Sequence, residues 1–312
     1  MKLTAAVIQT SSVLLDTPAT VERALDLMKE AAAQGAQVLV FPEAFLGGYP
    51  KGADFHIYLG GRTLQGRTEF KLYFDAAVCV DGPEIAQLAQ AAKEYQLYVC
   101  VGIIEREGGT LYCTAVYLGP DGQVLGKHRK LMPTALERLI WGFGDGSTLR
   151  AVDTPFGKLG AVICWENYMP ALRMAMYQQR VTLYCAPTAD DRDTWIGTMQ
   201  HIALEGRCFV LSACQHLRRS DFPSDRMSNR LPQASDTVLM RGGSVIIDPL
   251  GKILAGPLRD QDALLTAELD LDLIPMAQLD FDVVGHYARP DVFSLQVNTA
   301  AQAAVSFVDG TR

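Results

Sequence analysis

Long apolar runs are missing from this sequence: none approaches the roughly 18–20 residues that a membrane span requires. The first ten residues carry one early charge and a short apolar stretch, too short for a secretory leader, so a cytoplasmic protein is expected. There is no Cys-x-x-Cys pair, and the five histidines (His56, His128, His201, His216, His286) are scattered, which leaves a zinc site without its usual spacing. Gly-x-Gly-x-x-Gly, Gly-x-x-x-x-Gly-Lys-Ser/Thr and Gly-x-Ser-x-Gly are all absent. Dinucleotide, nucleoside-triphosphate and serine-hydrolase chemistries therefore lose their common entry points. Positive charge is also short, with 28 Lys and Arg against 35 Asp and Glu and a net charge of −7. The only basic cluster is Lys127-His128-Arg129-Lys130, so phosphate-backbone binding has no electrostatic basis.

Apolar residues make up 49% of the 312, enough for a sizeable core and too many for a disordered chain. Seven cysteines, an odd number, sit mostly inside apolar runs, which fits reduced thiols better than a disulfide framework. Strand-like and helix-like patterns alternate. Residues 3–9 suit a strand, and 18–34 repeat apolar residues at helical spacing (Val21, Ala24, Leu25, Met28, Ala32). Residues 37–41 form a buried strand ending at Pro42-Glu43. A helix over 83–95, a strand over 98–104 and a hairpin turning at Gly119-Pro120-Asp121-Gly122 follow.

The second half repeats that order. Strands over 159–164, 181–186 and 208–213 are interleaved with helices over 171–179 and 194–205. A second hairpin turns at Asp248-Pro249-Leu250-Gly251, in a segment that looks like the first. Residues 218–236 read as a polar insertion loop, and the stretch past Gly285 lacks periodicity. Apolar strands alternating with amphipathic helices predict an α/β layered fold of two similar halves, with no linker dividing them. The expected organisation is one domain over 1–285 and a C-terminal tail over 286–312.

Three segments place reactive side chains just past apolar strands, where ligands gather in α/β architectures. They are Phe41-Pro42-Glu43-Ala44-Phe45-Leu46-Gly47-Gly48-Tyr49-Pro50-Lys51-Gly52, His128-Arg129-Lys130-Leu131-Met132-Pro133-Thr134, and Cys164-Trp165-Glu166-Asn167-Tyr168-Met169-Pro170. Alone, each has an ordinary reading: an exposed carboxylate, a solvated lysine, one more core thiol. Together, and in this order, they resemble the nitrilase branch of the carbon–nitrogen hydrolase superfamily over about residues 3–293.

That resemblance implies Glu43, Lys130 and Cys164 as a catalytic triad, with Glu137 of Leu136-Glu137-Arg138 as a supporting glutamate. It also implies an α-β-β-α sandwich and homo-oligomers built on a dimer, up to larger or filamentous assemblies, with the tail at a subunit interface. The implied reaction hydrolyses small nitriles to acids and ammonia, and it needs no metal or organic cofactor. Thiolate is the strongest nucleophile a side chain supplies, a carboxylate can carry its proton, and an ammonium can stabilise charge on the substrate. Cyanide hydratase and the amidase or carbamoylase branches use the same three residue types, and a catalytically silent scaffold is the reading from another class. The segment Trp165-Glu166-Asn167 resembles nitrilases rather than amidases. Tyr49, Trp141, Phe143, Trp165, Tyr168, Met169 and Trp195 are pocket candidates, and the other six cysteines are expected to be structural.

Overall fold

Residues 1–223 and 225–305 are described by a computed structural model of the chain. The chain opens with β1 (Lys2–Gln9), α1 (Thr17–Ala33), β2 (Val38–Val40), α2 (Leu64–Ala76), α3 (Pro83–Tyr95), β3 (Tyr98–Glu107), β4 (Thr110–Leu118) and β5 (Val124–Arg129). It continues with β6 (Val152–Thr154), β7 (Gly157–Ala161), α4 (Pro170–Gln178), β8 (Val181–Thr188), α5 (Asp193–Gly206) and β9 (Phe209–Cys214). Then come β10 (His216–Arg218), β11 (Val238–Arg241), β12 (Val245–Ile247), β13 (Ile253–Ala255), β14 (Ala263–Asp270) and α6 (Leu273–Ala277).

Two six-stranded sheets result, ordered β14-β1-β2-β3-β4-β5 and β13-β12-β9-β8-β7-β6. In the first, β1, β2 and β3 are parallel and β4 and β5 continue antiparallel; in the second, β7, β8 and β9 are parallel and β12 and β13 continue antiparallel. The last strand of each hairpin is reached through equivalent turns. Gly122 donates to the Gly119 carbonyl and Gly251 to the Asp248 carbonyl, both at 2.9 Å. Both glycines have φ near +80°, a region that suits a residue without Cβ. The turn likeness seen in the sequence is thus a likeness of place in two matching sheets.

Alternation along the strands decides what each face meets. Ala5 and Val7 of β1, Cys100 and Ile104 of β3, Leu183 and Cys185 of β8, and Phe209 and Leu211 of β9 share one apolar cluster between the sheets. The intervening residues turn the other way. Ala6, Ile8, Val99 and Val101 pack with Val21, Ala24 and Met28 of α1 and Ile85 and Leu88 of α3. Tyr184, Val210, Val245 and Ile247 pack with Leu172 and Met176 of α4 and Met199 and Ile202 of α5. Because both faces are buried, a one-residue slip would exchange two complete apolar sets, each large side chain worth about 1.5–3 kcal/mol.

Helix α1 begins where the Asp16 carboxylate accepts the Ala19 amide at 3.0 Å and Pro18 occupies the first turn, where its missing N–H costs nothing. Helices α2 and α6 and strands β6, β10, β11 and β14 are additions to the elements read from sequence. The polar loop over 218–236 runs mostly between β10 and β11, with its Ser224 outside the described residues. Of the expected tail, residues 286–305 run without helix or strand along α4, and 306–312 lie outside the described residues. Among the described residues, no helix is long and apolar enough to cross a membrane.

Candidate active site

Three chain reversals bring the site together. Glu43 stands three residues past β2, Lys130 directly after β5, and Cys164 three residues past β7. Glu43 is held by its backbone: Phe45 donates to the Gly102 carbonyl at 2.8 Å, and Gln215 Nε2 donates to the Glu43 carbonyl at 2.9 Å. A Cβ on Gly102 would lie 2.2 Å from the Pro42 oxygen and 2.8 Å from Glu43 Cα, so this approach requires glycine. Cys164 has φ of +52°, a strained value for a side-chain-bearing residue. Asn167 over-determines it: Nδ2 donates to the carbonyls of Val162 and Cys164, both at 2.8 Å, and Oδ1 accepts the Tyr184 hydroxyl at 2.9 Å.

Lys130 Nζ lies 2.6 Å from Glu43 Oε1 and 2.8 Å from Glu137 Oε2, with all three side chains largely or wholly buried. Glu137 accepts also from the Thr134 amide at 2.6 Å and, through its other oxygen, from the Tyr49 hydroxyl at 2.8 Å. The Trp141 ring faces Lys130 Nζ at 5.7 Å. The sulfur of Cys164 lies 3.2 Å from Thr188 Oγ1. Glu43 Oε2 is buried without a hydrogen-bond partner.

Electrostatics set the protonation states. Burial raises Glu43 above the usual carboxylate range, and Lys130 offsets only part of that. Burial would lower Lys130, but Glu43, Cys164, Cys113 and Glu137 together hold it well above the ordinary lysine value. The Cys164 thiol is pushed up by burial and by Glu43, with Lys130 pulling it down. A thiol so placed is protonated at rest, and its proton must go to a neighbouring base when the sulfur attacks.

The cavity that reaches Cys164 measures about 200 Å3 and is lined by Tyr49, Lys51, Thr134, Glu137, Trp165 and Asp190 among others. A second cavity of about 550 Å3 shares Tyr49, Lys51, Thr134 and Glu137 and runs on to Trp141 without touching Cys164. Of the pocket candidates, Tyr49 and Trp165 border the first and Trp141 the second. Trp195 is instead buried in the outer core, donating to Ser212 Oγ at 2.9 Å, and Met169 packs beside it. Tyr168 stacks edge-on against Trp165 and Trp195, and Phe143 is exposed; neither borders either cavity. Apolar character alone cannot separate a pocket wall from helix-to-sheet packing.

Sequence reasoning passed over four neighbours. Cys113, expected to be structural, lies 3.4 Å from Glu43 Oε1, because β4 runs beside the strand carrying Lys130. Thr188 ends β8 and Asp190 lies two residues beyond it, and Glu166 is the buried acceptor for Leu131, Ile163 and His128. Only the position of Thr188 and Asp190 at the end of an apolar strand could have marked them. Cys79 differs from the other cysteines in being partly exposed, and all seven are unpaired. Among the described residues, no group of three His, Cys, Asp or Glu side chains is arranged to hold a metal ion.

A thiol at a cavity, with a buried ammonium and acid behind the Glu137 that lines it, can attack an electron-poor carbon, carry the proton and stabilise the charge that develops. Comparison with known proteins agrees with that capacity. The chain is 62% identical over 304 residues to an aliphatic nitrilase of Sinorhizobium fredii (strain HH103), covering 97% of this chain and 98% of the relative. It is 55% identical to the bifunctional nitrilase/nitrile hydratase NIT4B of Nicotiana tabacum, covering 97% and 88%. A carbon-nitrogen hydrolase structure from Helicobacter pylori G27 superposes with a TM-score of 0.72 at 19% identity, over 94% of this chain and 97% of that one, a likeness of fold. Carbon-nitrogen hydrolase is also the family whose profile matches residues 4–277, and the chain belongs to that family.

Proposed function

We propose that the protein hydrolyses small aliphatic nitriles to carboxylic acids and ammonia, with Cys164 as nucleophile. The observation that carries this reading is the buried Lys130–Glu43 pair, 2.6 Å apart, which Glu137 joins to the cavity that Cys164 lines. The relatives named nitrilases, at 62% and 54% identity over nearly the whole chain, support the choice of nitrile over amide. The aliphatic choice follows the relative named an aliphatic nitrilase.

Glu43 takes the thiol proton as the sulfur adds to the nitrile carbon, and the nitrogen is protonated to give a thioimidate. Water adds to form a tetrahedral intermediate, whose negative charge Lys130 stabilises. Ammonia departs after receiving a proton from Glu43, leaving a thioester that a second water opens to the acid. Glu137, which touches Lys130 and Tyr49, positions the ammonium. No step calls for a metal or organic cofactor.

Residues 1–285 act as the hydrolase domain, and the tail from 286 lies at a subunit interface of a homo-oligomer built on a dimer. Seven unpaired cysteines support a reducing, cytoplasmic setting. A second reading concerns the product. Relatives from tobacco and lupin are named bifunctional nitrilase/nitrile hydratases, which supports an amide fraction beside the acid. It arises when the tetrahedral intermediate expels the thiolate instead of ammonia.

The test is a panel of short aliphatic and aromatic nitriles with ammonia, acid and amide quantified separately. Acid and ammonia should form in equal amounts from the aliphatic members, with amide in the minority. Intact-mass analysis during turnover should show an acyl adduct on the native protein and none on Cys164→Ala, which should be inactive but folded. Near-native turnover by Cys164→Ala would falsify the assignment.

A further inference from the structure

Thr188, the last residue of β8, is wholly buried and carries its hydroxyl to the sulfur of Cys164. A hydroxyl has one proton to give and lone pairs to accept with. The Asp190 amide reaches Thr188 Oγ1 at 2.9 Å, and an amide N–H can only donate. Oγ1 is therefore the acceptor toward Asp190, and its single proton is left for its other neighbour, Sγ, 3.2 Å away. Accepting one hydrogen bond strengthens the hydroxyl as donor of the next. The β-branched side chain, stiff about χ1 and enclosed, keeps this direction.

We propose that Thr188 is a catalytic residue of this site, whose hydroxyl donates to the Cys164 sulfur and stabilises it as the thiolate. It does so when the sulfur attacks and again when the sulfur leaves the acyl carbon. The proposal rests on the reading of Cys164 as nucleophile. In the step itself the Cys164 proton passes to the Glu43 carboxylate, the sulfur keeps the electron pair, and the Thr188 proton stays on Oγ1 while its hydrogen bond shortens. When the thioester is opened, the same bond receives the returning charge on sulfur.

Other donors do not replace it. Lys130 Nζ is already directed at the two carboxylates of Glu43 and Glu137. Glu43, once it holds the Cys164 proton, passes it on to the substrate nitrogen, so that proton does not stay with the sulfur. The titratable and charged groups around the sulfur are Glu43 past β2, Lys130 past β5, Glu137, Tyr49 and Lys51, Asp190, Asp191 and Arg192 ahead of α5, and Cys214 ending β9. Thr188 is the neutral hydroxyl among them that touches it. The turn behind Thr188 is anchored beside the nucleophile, since Trp165 Nε1 donates to Asp190 Oδ2 and Arg192 Nε to Asp190 Oδ1, both at 2.8 Å.

The experiment compares Thr188→Val, which keeps the shape and removes the donor, with Thr188→Ser, which keeps the donor. Alkylation of Cys164 by iodoacetamide is followed against pH by peptide mass mapping, with Cys164→Ala as the blank, and kcat and KM are measured on a short aliphatic nitrile. Thr188→Val should move the alkylation midpoint to higher pH and lower kcat by roughly tenfold or more, the loss expected of one hydrogen bond to a charged group, with KM little changed. Thr188→Ser should keep the native alkylation profile and most of kcat.

An unmoved alkylation profile and native kcat in Thr188→Val overturn the proposal. So does equal loss in both variants with a shifted Trp165 emission, because Thr188 would then only hold the Asp190 turn in place. The alkylation measurement uses no nitrile, so it separates the two readings. If Cys164→Ala remains active, the assignment of the nucleophile fails whatever Thr188 does to the thiol.

Discussion

The two oxygens of Glu43 keep different company. Oε1 faces Lys130 Nζ at 2.6 Å and the Cys113 thiol at 3.4 Å, while Oε2 has no hydrogen-bond partner. One oxygen is pinned and the other is left to take a proton, an arrangement suited to a base. Replacing Glu43 by Gln removes that capacity, and replacing Lys130 by Ala removes the charge opposite the intermediate. Each should lower kcat by roughly 10²-fold or more. Lys130→Arg should not restore activity, because a larger planar guanidinium cannot replace a compact ammonium at a small, fully buried reacting centre. Steady-state kinetics on purified, folded variants checks this, and more than a tenth of the native rate in both single variants would remove the assigned roles.

The same carboxylate predicts a pH dependence. Glu43 acts as base only when ionised, and burial raises its folded pKa despite Lys130. As pH falls, the proton returns at that raised value, so the acid limb of kcat/KM should lie above the range near 4.3 of an ordinary glutamate. A limb at or below that range would mean that some other group limits the rate.

At the scale of elements, the two loops that carry Lys130 and Cys164 are tied by one side chain. Glu166 Oε1 accepts the Leu131 amide at 2.6 Å, and Oε2 accepts the Ile163 amide at 2.9 Å and faces His128 Nε2 at 3.0 Å. Leu131 follows the lysine and Ile163 precedes the cysteine, so this buried carboxylate sets the spacing between two strand ends from different sheets. Glu166→Gln turns an NH2 group toward an N–H donor and leaves at least one amide unpaired, a cost of about 1–3 kcal/mol. The variant should fold with a lowered Tm and lose kcat more than KM. Calorimetry with kinetics reads both, and native kcat alongside a lowered Tm would confine Glu166 to stability.

The same scale shows what was legible beforehand. The runs over 38–41 and 181–186 are apolar on both faces, which marks central strands, and the spacing of Val21, Ala24 and Met28 marks α1. Strand β14 was not legible because it is an edge strand, half-buried along most of its length, so its apolar residues do not alternate cleanly with polar ones. Helix α2 was hidden by Gly66 and four charged side chains among thirteen residues. Glu43, Lys130 and Cys164 could be singled out because each lies just past a strand, within a recognisable segment. Cys113 and Thr188 could not, since their place depends on which strands lie side by side.

For the whole molecule, the remaining question is what covers the face formed by α4 and the tail. A cavity of about 720 Å3 opens there, lined by Met174, Ala175, Val283, Tyr287, Phe293 and Leu295. Phe293 is 78% exposed and Tyr287 60%, although both are large aromatics. Helix α4 buries Leu172, Ala175 and Met176 against its own sheet, and Met174 lines the cavity on the other side, which the described part of the tail covers only in part. An apolar face of this kind is stable in water when a partner shields it, and a self-complementary face is shielded most simply by a second copy. Light scattering at low micromolar concentration should therefore give at least twice the 34.1 kDa of one chain. Phe293→Asp with Leu295→Asp should shift the population toward monomer by placing unpaired charge in the interface, while the fold, whose core lies between and outside the sheets, should persist by circular dichroism. An active, stable monomer of the native chain would show that the tail and α4 are covered by nothing but each other.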